Sequence, residues 1–500
     1  MSKDGAHSAR ATALATAQRL AGQVLIAGAL ARTRRGREFD LHDPATGELI
    51  CSVADADTDD VDAAVAAAKA AQPAWTRMSA RERGAKLIEG GRVLAAHAGE
   101  LAALIALESG KSLRTECRPE AANVADVLQF FGGLAGEIKG ETVPLRSGLL
   151  AYTQREALGV VAAVLPWNVP LMLMAVKIAP ALVAGNSVVV KSAEETPLGV
   201  LRAIELLNTV LPAGVLNVLS GDGLGCGAPL VAHPHVAKIT FTGSVETGKL
   251  IYQAAAAKLI PVTLELGGKS PMIVMADADL DKAVGGALIA MRFTRQGQSC
   301  SAASRILVHR SLHDVFVAKL KSKVDQLLIG DPFDEATDIG AVISRPQLDK
   351  ISAYVEQGRR TEGATAHECC RLPEAAALAR GLFTRPVIFT GLDNTHPVVR
   401  EEIFGPVACV IPFDTAEEAI AIANDSDFGL TASIWTRDIK TALDAIDRLQ
   451  AGFIQVNQAQ VAGLNVCYGG YKQSGLGREL TLESMLEHFT ARKSVIINFD

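Results

Sequence analysis

The chain has 500 residues, more than one hydrophobic core usually serves, so two large domains, with or without a small appendage, are expected. Apolar residues make up 49% and charged residues 21%, a globular balance that excludes long disordered spans. The 49 basic and 55 acidic side chains leave a formal charge of -6 and form no basic block with interleaved aromatics, which argues against nucleic acid as a partner.

The first twenty residues are alanine-rich with Arg10 and Arg19 and lack the compact apolar core of a secretory signal. They read as a loose cytosolic extension, with a mitochondrial presequence as the alternative. No apolar run is long enough to span a bilayer, so a membrane partner is not expected. Gln23 to Ile50 reads as short strands around the turn Asp43-Pro44-Ala45-Thr46-Gly47. Helices are predicted over Asp57 to Ala74, ending near Pro73-Ala74-Trp75, then Ser79 to Ala96, Gly99 to Gly110 and Pro119 to Lys139.

From Gly159 short apolar strands alternate with helices. The strand Gly159 to Leu165 stops at Pro166-Trp167-Asn168, and a helix over Leu171 to Ala184 follows. Ser187 to Lys191, Pro197 to Val210 and Val215 to Leu219 continue as strand, helix and strand. Such alternation builds an open parallel sheet that binds ligands at the carboxyl ends of its strands. Two glycine-rich stretches compete for a phosphate. Gly221 to Gly227 does not fit GxGxxG spacing and reads as a structural turn. The strand Lys238 to Phe241 instead runs into Thr242-Gly243-Ser244 and a helix, whose free amides could hold a pyrophosphate. A further strand, Pro261 to Leu266, ends at Glu265-Leu266-Gly267-Gly268.

Beyond Ser270 a helix over Asp279 to Thr294 is expected to deliver Cys300, and Arg305 to Val308 to leave it as a strand. His313 to Gln450 looks like a second α/β domain, and Ser494 to Phe499 is a closing strand in need of a partner. The eight cysteines are scattered without metal-ligand spacing, which predicts free thiols in a reducing compartment and no metal site. Cys467 is assigned to packing and the Cys369-Cys370 pair to the surface. Cys300 differs in its company. Gly297, Ser299, Ser301, Ala302 and Ala303 let a tight turn bring its thiol to a substrate and aim nearby amides at it.

Taken in order, Pro166-Trp167-Asn168-Val169-Pro170, Lys191-Ser192-Ala193-Glu194, Phe241-Thr242-Gly243-Ser244, Glu265-Leu266-Gly267-Gly268, Gly297-Gln298-Ser299-Cys300 and Glu402-Ile403-Phe404-Gly405-Pro406 resemble the aldehyde dehydrogenase superfamily, over about Gln23 to Asp500. The resemblance implies an α/β fold with a Rossmann-type NAD-binding domain (1–138 and 158–268), an α/β catalytic domain (269–466) and a small β oligomerisation extension (139–157 and 482–500). A cytoplasmic homodimer or homotetramer is the matching expectation. The implied reaction oxidises an aldehyde to the carboxylic acid with NAD. Cys300 would be the nucleophile, the Asn168 side chain and the Cys300 backbone amide the oxyanion hole, and Glu265 the general base. Lys177 would be structural or proton-relaying.

For the cofactor, the resemblance implies Trp167 on its face, Lys191 and Glu194 at the adenine ribose, Gly243 and Ser244 at the pyrophosphate, Glu402 at the nicotinamide ribose and Phe404 beside the ring. A carboxylate accepts bonds from free ribose hydroxyls and repels a 2'-phosphate, so Glu194 favours NAD, while Lys191 serves either cofactor and leaves NADP open. Val169, Met172, Leu173, Val176, Ser299, Ser301, Ala462 and Tyr468 would line the substrate tunnel. Two departures stand out. Arg295 replaces a frequent asparagine and could attract an acidic aldehyde or brace the loop, the brace being preferred. Cys467-Tyr468 replaces a frequent Pro-Phe. Tunnel residues smaller than the usual aromatics suggest a medium or bulky aldehyde, aromatic or terpenoid. The rival readings are a coenzyme A-acylating aldehyde dehydrogenase, a non-redox cysteine hydrolase and a non-catalytic protein that kept the fold.

Overall fold

Valine-rich runs buried at every position, Val160–Val164 and Ser187–Lys191, form the centre of a sheet, because a strand covered on both faces has no polar side to alternate with. The structure, a computed structural model, describes residues 3–459 and 463–500. In the first sheet Leu216–Leu219, Ser187–Lys191, Val160–Val164, Val236–Thr242 and Val262–Glu265 lie side by side in that order, all parallel. Gln23–Ile26 closes one edge antiparallel, with Ala29–Arg32 outside it. Gly475–Leu476 closes the other, setting Gly475 opposite Glu265. This last pairing carries the carboxyl-terminal segment to the strand end that bears Glu265.

The second sheet runs Thr365–Glu368, Val387–Thr390, Val407–Phe413, Arg305–His309, Pro271–Val274, Thr431–Trp435 and Phe453–Val456, parallel except for the first pair. A third, smaller sheet joins Thr142–Val143, Leu149–Ala157 and Thr490–Asn498. The closing strand thus finds its partner in Leu149–Ala157, antiparallel from Thr490↔Ala157 to Asn498↔Leu149. Its exposed Ile496, Ile497 and Phe499 leave the ribbon with an uncovered apolar surface.

Several expectations need correction. The amino terminus is not loose. Lys3–Leu20 is a helix that buries Ala13, Ala17 and Leu20, and Arg10 bridges Asp43 and Asp331. Two of its alanines, Ala13 and Ala17, lie on the packing face, and Ala11 and Ala15 are exposed. Thr58–Arg77 continues through Pro73, because fully buried Trp75, donating from Nε1 to the Leu182 carbonyl at 2.9 Å, anchors the turn beyond it. The helix before Cys300 stops at Ala290, where Arg292 (φ 55°) and then Gln296 (φ 51°) turn the chain left-handed into a loop. Cys369 and Cys370 are buried in the second domain's core beyond an edge strand that turns inward, whereas Cys467 is exposed on the segment leading to Tyr468. Among the described residues, no single helix is long and apolar enough to cross a membrane.

Candidate active site

Two neighbouring parallel strands set the floor of the site. Val236–Thr242 and Val262–Glu265 place Thr242 beside Glu265, and both strands end at the same edge of the sheet. The chain leaving Val160–Val164 brings Asn168 to that edge, just before the helix Pro170–Val183. The second domain supplies the loop of Cys300, between the short helical turn Phe293–Arg295 and the strand Arg305–His309.

This loop is held by close backbone approaches that only glycine permits. A Cβ on Gly268 would collide with the carbonyl oxygen of Cys300, and one on Gly297 (φ 63°) with that of Gly405. Gln298 Oε1 accepts the Ile343 N–H at 3.1 Å, and the Gln298 carbonyl accepts from Asn168 Nδ2 at 3.3 Å. Arg295 donates from Nε to Glu116 at 2.7 Å, and Thr294 Oγ1 donates to the other oxygen of the same carboxylate at 2.5 Å. This pair ties Arg295 to Glu116, while the same side chain also lines the larger cavity at Cys300.

Asn168 is fixed from behind. Lys111 Nζ, buried, donates to the Asn168 carbonyl at 2.8 Å and to Glu120 at 2.6 Å. Glu120 in turn accepts the Leu171 N–H at 2.9 Å, which satisfies a free donor at the start of the helix Pro170–Val183. An amide nitrogen carries two hydrogens, so the bond to Gln298 leaves Asn168 one for a substrate oxygen.

Two cavities meet at Cys300. One, of about 200 Å³, is lined by Trp167, Gly243, Ser244, Gly267, Glu402 and Phe404. The other, of about 400 Å³, is lined by Val169, Met172, Leu173, Val176, Arg292, Arg295, Ser299, Ser301, Phe453 and Tyr468, with Glu265 and Glu479 at its inner end. Asn168, Thr242 and Cys300 border both. Nearly all the expected tunnel residues are therefore brought together. Ala462 lies outside the described residues.

Burial, with the carboxylates of Glu402 and Glu265 nearby, pushes the Cys300 thiol up to about 12, against the opposing effects of Tyr468 and Arg295. Glu265 is buried, and among the described residues neither carboxylate oxygen has a hydrogen-bond partner. Burial first, then the charge of Glu479, holds it well above the usual carboxylate range, with Lys177 and Arg478 opposing. Fully buried Lys177 lines neither cavity. Its Nζ lies 2.9 Å from Glu479 and 3.2 Å from Thr240 Oγ1, and its charge opposes the rise at Glu265.

In the smaller cavity Trp167 and Phe404 meet edge to face at 5.2 Å. Glu402 accepts the Gly268 N–H at 2.9 Å, and burial raises its carboxyl to about 7. Ser244 Oγ caps the helix Val245–Lys258 by accepting the Thr247 N–H at 3.2 Å. Lys191 and Glu194 pair with each other at 2.9 Å and do not line this cavity. The sequence reading missed Glu479, Lys111, Glu116, Glu120 and Lys350. The acids Glu116 and Glu120, one helical turn apart, gave a usable sign, since both fall on the side that is buried.

A half-buried thiol where an apolar tunnel joins a second cleft, with an amide donor and a carboxyl that has no hydrogen-bond partner among the described residues lining the same cavities, is the constellation of an enzyme working through a cysteine nucleophile. Residues 31–495 match the aldehyde dehydrogenase family, and the chain belongs to that family of oxidoreductases. It is 43% identical over 456 residues, 91% of this chain and 92% of the relative, to a betaine aldehyde dehydrogenase of Sinorhizobium fredii. Among solved structures it is similar to an aldehyde dehydrogenase of Bacillus cereus in complex with NAD+ (TM-score 0.92, 37% identity, 96% of this chain and 97% of that one). It is also similar to a betaine aldehyde dehydrogenase of Staphylococcus aureus with NAD+ (TM-score 0.94, 35% identity, 98% of each chain).

Proposed function

We propose that the protein oxidises an apolar aldehyde of medium or bulky size to its carboxylic acid, with NAD as oxidant and Cys300 as nucleophile. The observation that carries this reading is the junction of the two cavities on the Cys300 thiol, beside Asn168. The Cys300 sulfur adds to the aldehyde carbonyl, and the oxygen that becomes negative takes a hydrogen bond from Asn168 Nδ2. The smaller cavity suits a dinucleotide end. Glu402 offers a half-buried acceptor for ribose hydroxyls, the edge-to-face Trp167–Phe404 pair an apolar wall, and Gly243–Ser244 a helix start for phosphate. When bound there, NAD supplies the hydride acceptor. Oxidation leaves a thioester on Cys300. Glu265, whose oxygens have no hydrogen-bond partner among the described residues, takes a proton from the water that releases the acid. That base favours hydrolysis over transfer to coenzyme A. Glu194, just past its strand, favours NAD over NADP, as its charge repels a 2'-phosphate.

The substrate of the named relatives does not carry over directly. Quaternary ammonium groups are recognised by aromatic cages, whereas this tunnel offers Val169, Met172, Leu173 and Val176 with the rings of Phe453 and Tyr468, and sets Arg292 and Arg295 in the same wall. The same cavity is also lined by Glu116, Glu120, Glu265 and Glu479, so the preference rests on its apolar stretch and its size: about 400 Å³ accommodates more than a two-carbon aldehyde. The uncovered ribbon Thr490–Asn498 supports assembly as a cytoplasmic homodimer or homotetramer.

The test is NADH formation by the purified protein on betaine aldehyde, short aliphatic, long aliphatic and aromatic aldehydes, beside Cys300→Ala. Turnover that the substitution abolishes, with kcat/KM rising from short to bulky apolar aldehydes, is expected. Preference for betaine aldehyde over all others would overturn the substrate reading, and turnover by Cys300→Ala the mechanism.

A further inference from the structure

Thr115, Glu116, Pro119, Glu120 and Asn123 form part of the wall of the larger cavity, and the segment that carries them is fastened to the second domain before it reaches the site. Ser112 Oγ donates to the Thr337 carbonyl at 2.9 Å, the Leu113 N–H to the Pro332 carbonyl at 2.8 Å, and Thr115 Oγ1 to the Asp338 carbonyl at 2.9 Å. A single π turn over Leu113–Cys117, closed by the Cys117 N–H on the Ser112 carbonyl at 3.1 Å, then runs into the helix Arg118–Gly133. Glu116 lies in the π turn and Glu120 at the start of the helix, and both are buried.

The two acids serve different arms of the site. Glu116 accepts from Thr294 Oγ1 and Arg295 Nε, at 2.5 and 2.7 Å, on the loop that leads to Cys300. Glu120 accepts from Lys111 Nζ at 2.6 Å and from the Leu171 N–H at 2.9 Å, and Lys111 passes the hold on to the Asn168 carbonyl at 2.8 Å. Asn168 sits between Pro166 and Pro170, two residues apart on either side of it and without an N–H to donate, so this contact fastens its turn from outside. Stability does not explain a charged pair here. Apolar side chains of similar volume in place of a buried ion pair are often as stable or more so, whereas a directional lysine–carbonyl contact fixes the backbone from which the Asn168 amide projects.

We propose that Glu120, acting through Lys111, is a positioning residue for Asn168, and that Glu116 is its counterpart for the Cys300 loop, so that one buried segment sets the alignment of the amide donor with the sulfur. The inference rests on the reading of Cys300 as nucleophile and Asn168 as oxyanion donor. It makes the two acids separable. Glu120 matters only where an oxyanion forms, and Glu116 matters with or without Asn168. Glu120→Gln keeps an acceptor for the Leu171 N–H and loses the charge that holds Lys111. Since a displacement of order 1 Å in such a site costs about a hundredfold in rate, kcat should fall about ten- to a hundredfold.

The experiment is a pair of double-mutant cycles on the full-length protein. NADH formation from hexanal gives kcat and KM, and alkylation of Cys300 by iodoacetamide is read by mass spectrometry on the tryptic peptide 296–305, whose sole cysteine is Cys300. Alkylation displaces iodide at a saturated carbon and forms no oxyanion, so it does not use Asn168. Glu120→Gln should lower kcat with KM for NAD unchanged, leave the alkylation rate within about twofold of wild type, and cost nothing further in an Asn168→Ala background. Glu116→Gln should lower kcat by the same factor in both backgrounds. Lys111→Met/Glu120→Gln leaves neither charge of the pair buried alone and must show the pattern of Glu120→Gln, which decides the matter if Glu120→Gln by itself fails to fold. Equal falls in kcat and alkylation, an unchanged kcat, or a Glu120→Gln effect that persists undiminished in Asn168→Ala overturns the inference. A Glu116→Gln effect that vanishes in Asn168→Ala overturns its assignment to the loop. Hexanal turnover that survives Cys300→Ala removes the nucleophile reading, and the inference with it, whereas an inactive Cys300→Ala leaves that reading in place whichever way the cycles fall.

Discussion

Glu265→Gln is the substitution in which the proposed chemistry and the physics of burial make separate, opposite-signed claims. The change is nearly isosteric, and since neither oxygen of Glu265 has a protein partner among the described residues, it breaks no hydrogen bond. Loss of a general base typically costs about a hundred- to ten-thousandfold in rate, here in thioester release, so steady-state turnover should fall by that factor. Stability should move the other way. The folded-state pKa of Glu265 is raised above its ordinary 4.5 by burial and by Glu479. The unfolded chain therefore releases this proton first as pH rises, and the folded state loses stability from about the unfolded pKa up to the folded one. Each unit of upward shift removes about 1.4 kcal/mol, and glutamine abolishes that loss. The variant should match wild type near pH 4.5 and grow steadily more stable than it toward neutrality, in urea unfolding followed across pH. Undiminished turnover would refute Glu265 as the base. A stability gap that stays flat with pH would refute the claim that burial and Glu479 raise the pKa of this carboxyl.

Asn168→Ala removes the side-chain oxyanion donor, and kcat should fall about a hundred- to a thousandfold with little change in KM; a change confined to KM would place Asn168 in substrate binding instead. Gly268→Ala forces a methyl group into the Cys300 carbonyl, which should cost about 1–3 kcal/mol in urea unfolding and, through a displacement of order 1 Å, about a hundredfold in kcat; activity near wild type would show that the loop can yield. Arg295→Met leaves the buried Glu116 carboxylate without its cation and should destabilise the protein by about 3–5 kcal/mol, while lowering kcat/KM for neutral and acidic aldehydes alike. A loss selective for acidic aldehydes at unchanged stability would restore the substrate-recognition role.

How far the sequence discloses such a site depends on whether the residues involved are neighbours in the chain. Ser187–Lys191 was legible because a short apolar run between turns has few other structures open to it, and the strand appears with the bounds expected. Asn168, Glu265 and Cys300 were legible because each sits in a local motif whose glycines or prolines shape the backbone around it, and the two cavities do converge on Asn168 and Cys300. Pairings between distant segments left no such trace. Lys177 meets Glu479, Arg295 meets Glu116, and Tyr468 comes to line one cavity with Cys300 only after strands and helices from different parts of the chain are packed together. The cysteines show the same limit from the other side. Cys369-Cys370, flanked by Glu368 and Arg371, read as surface, yet both are buried, because the Arg385 guanidinium reaches Glu368 and the Cys370 carbonyl and lets the polar flanks stay outside. Cys467, among apolar neighbours, read as packing and is exposed. Local composition decides which segments can be buried. Which buried charge answers which is decided by register, and here the register of one short bridge, Tyr468 against Glu479, ties a residue of the cavity wall at Cys300 to the carboxylate that raises Glu265.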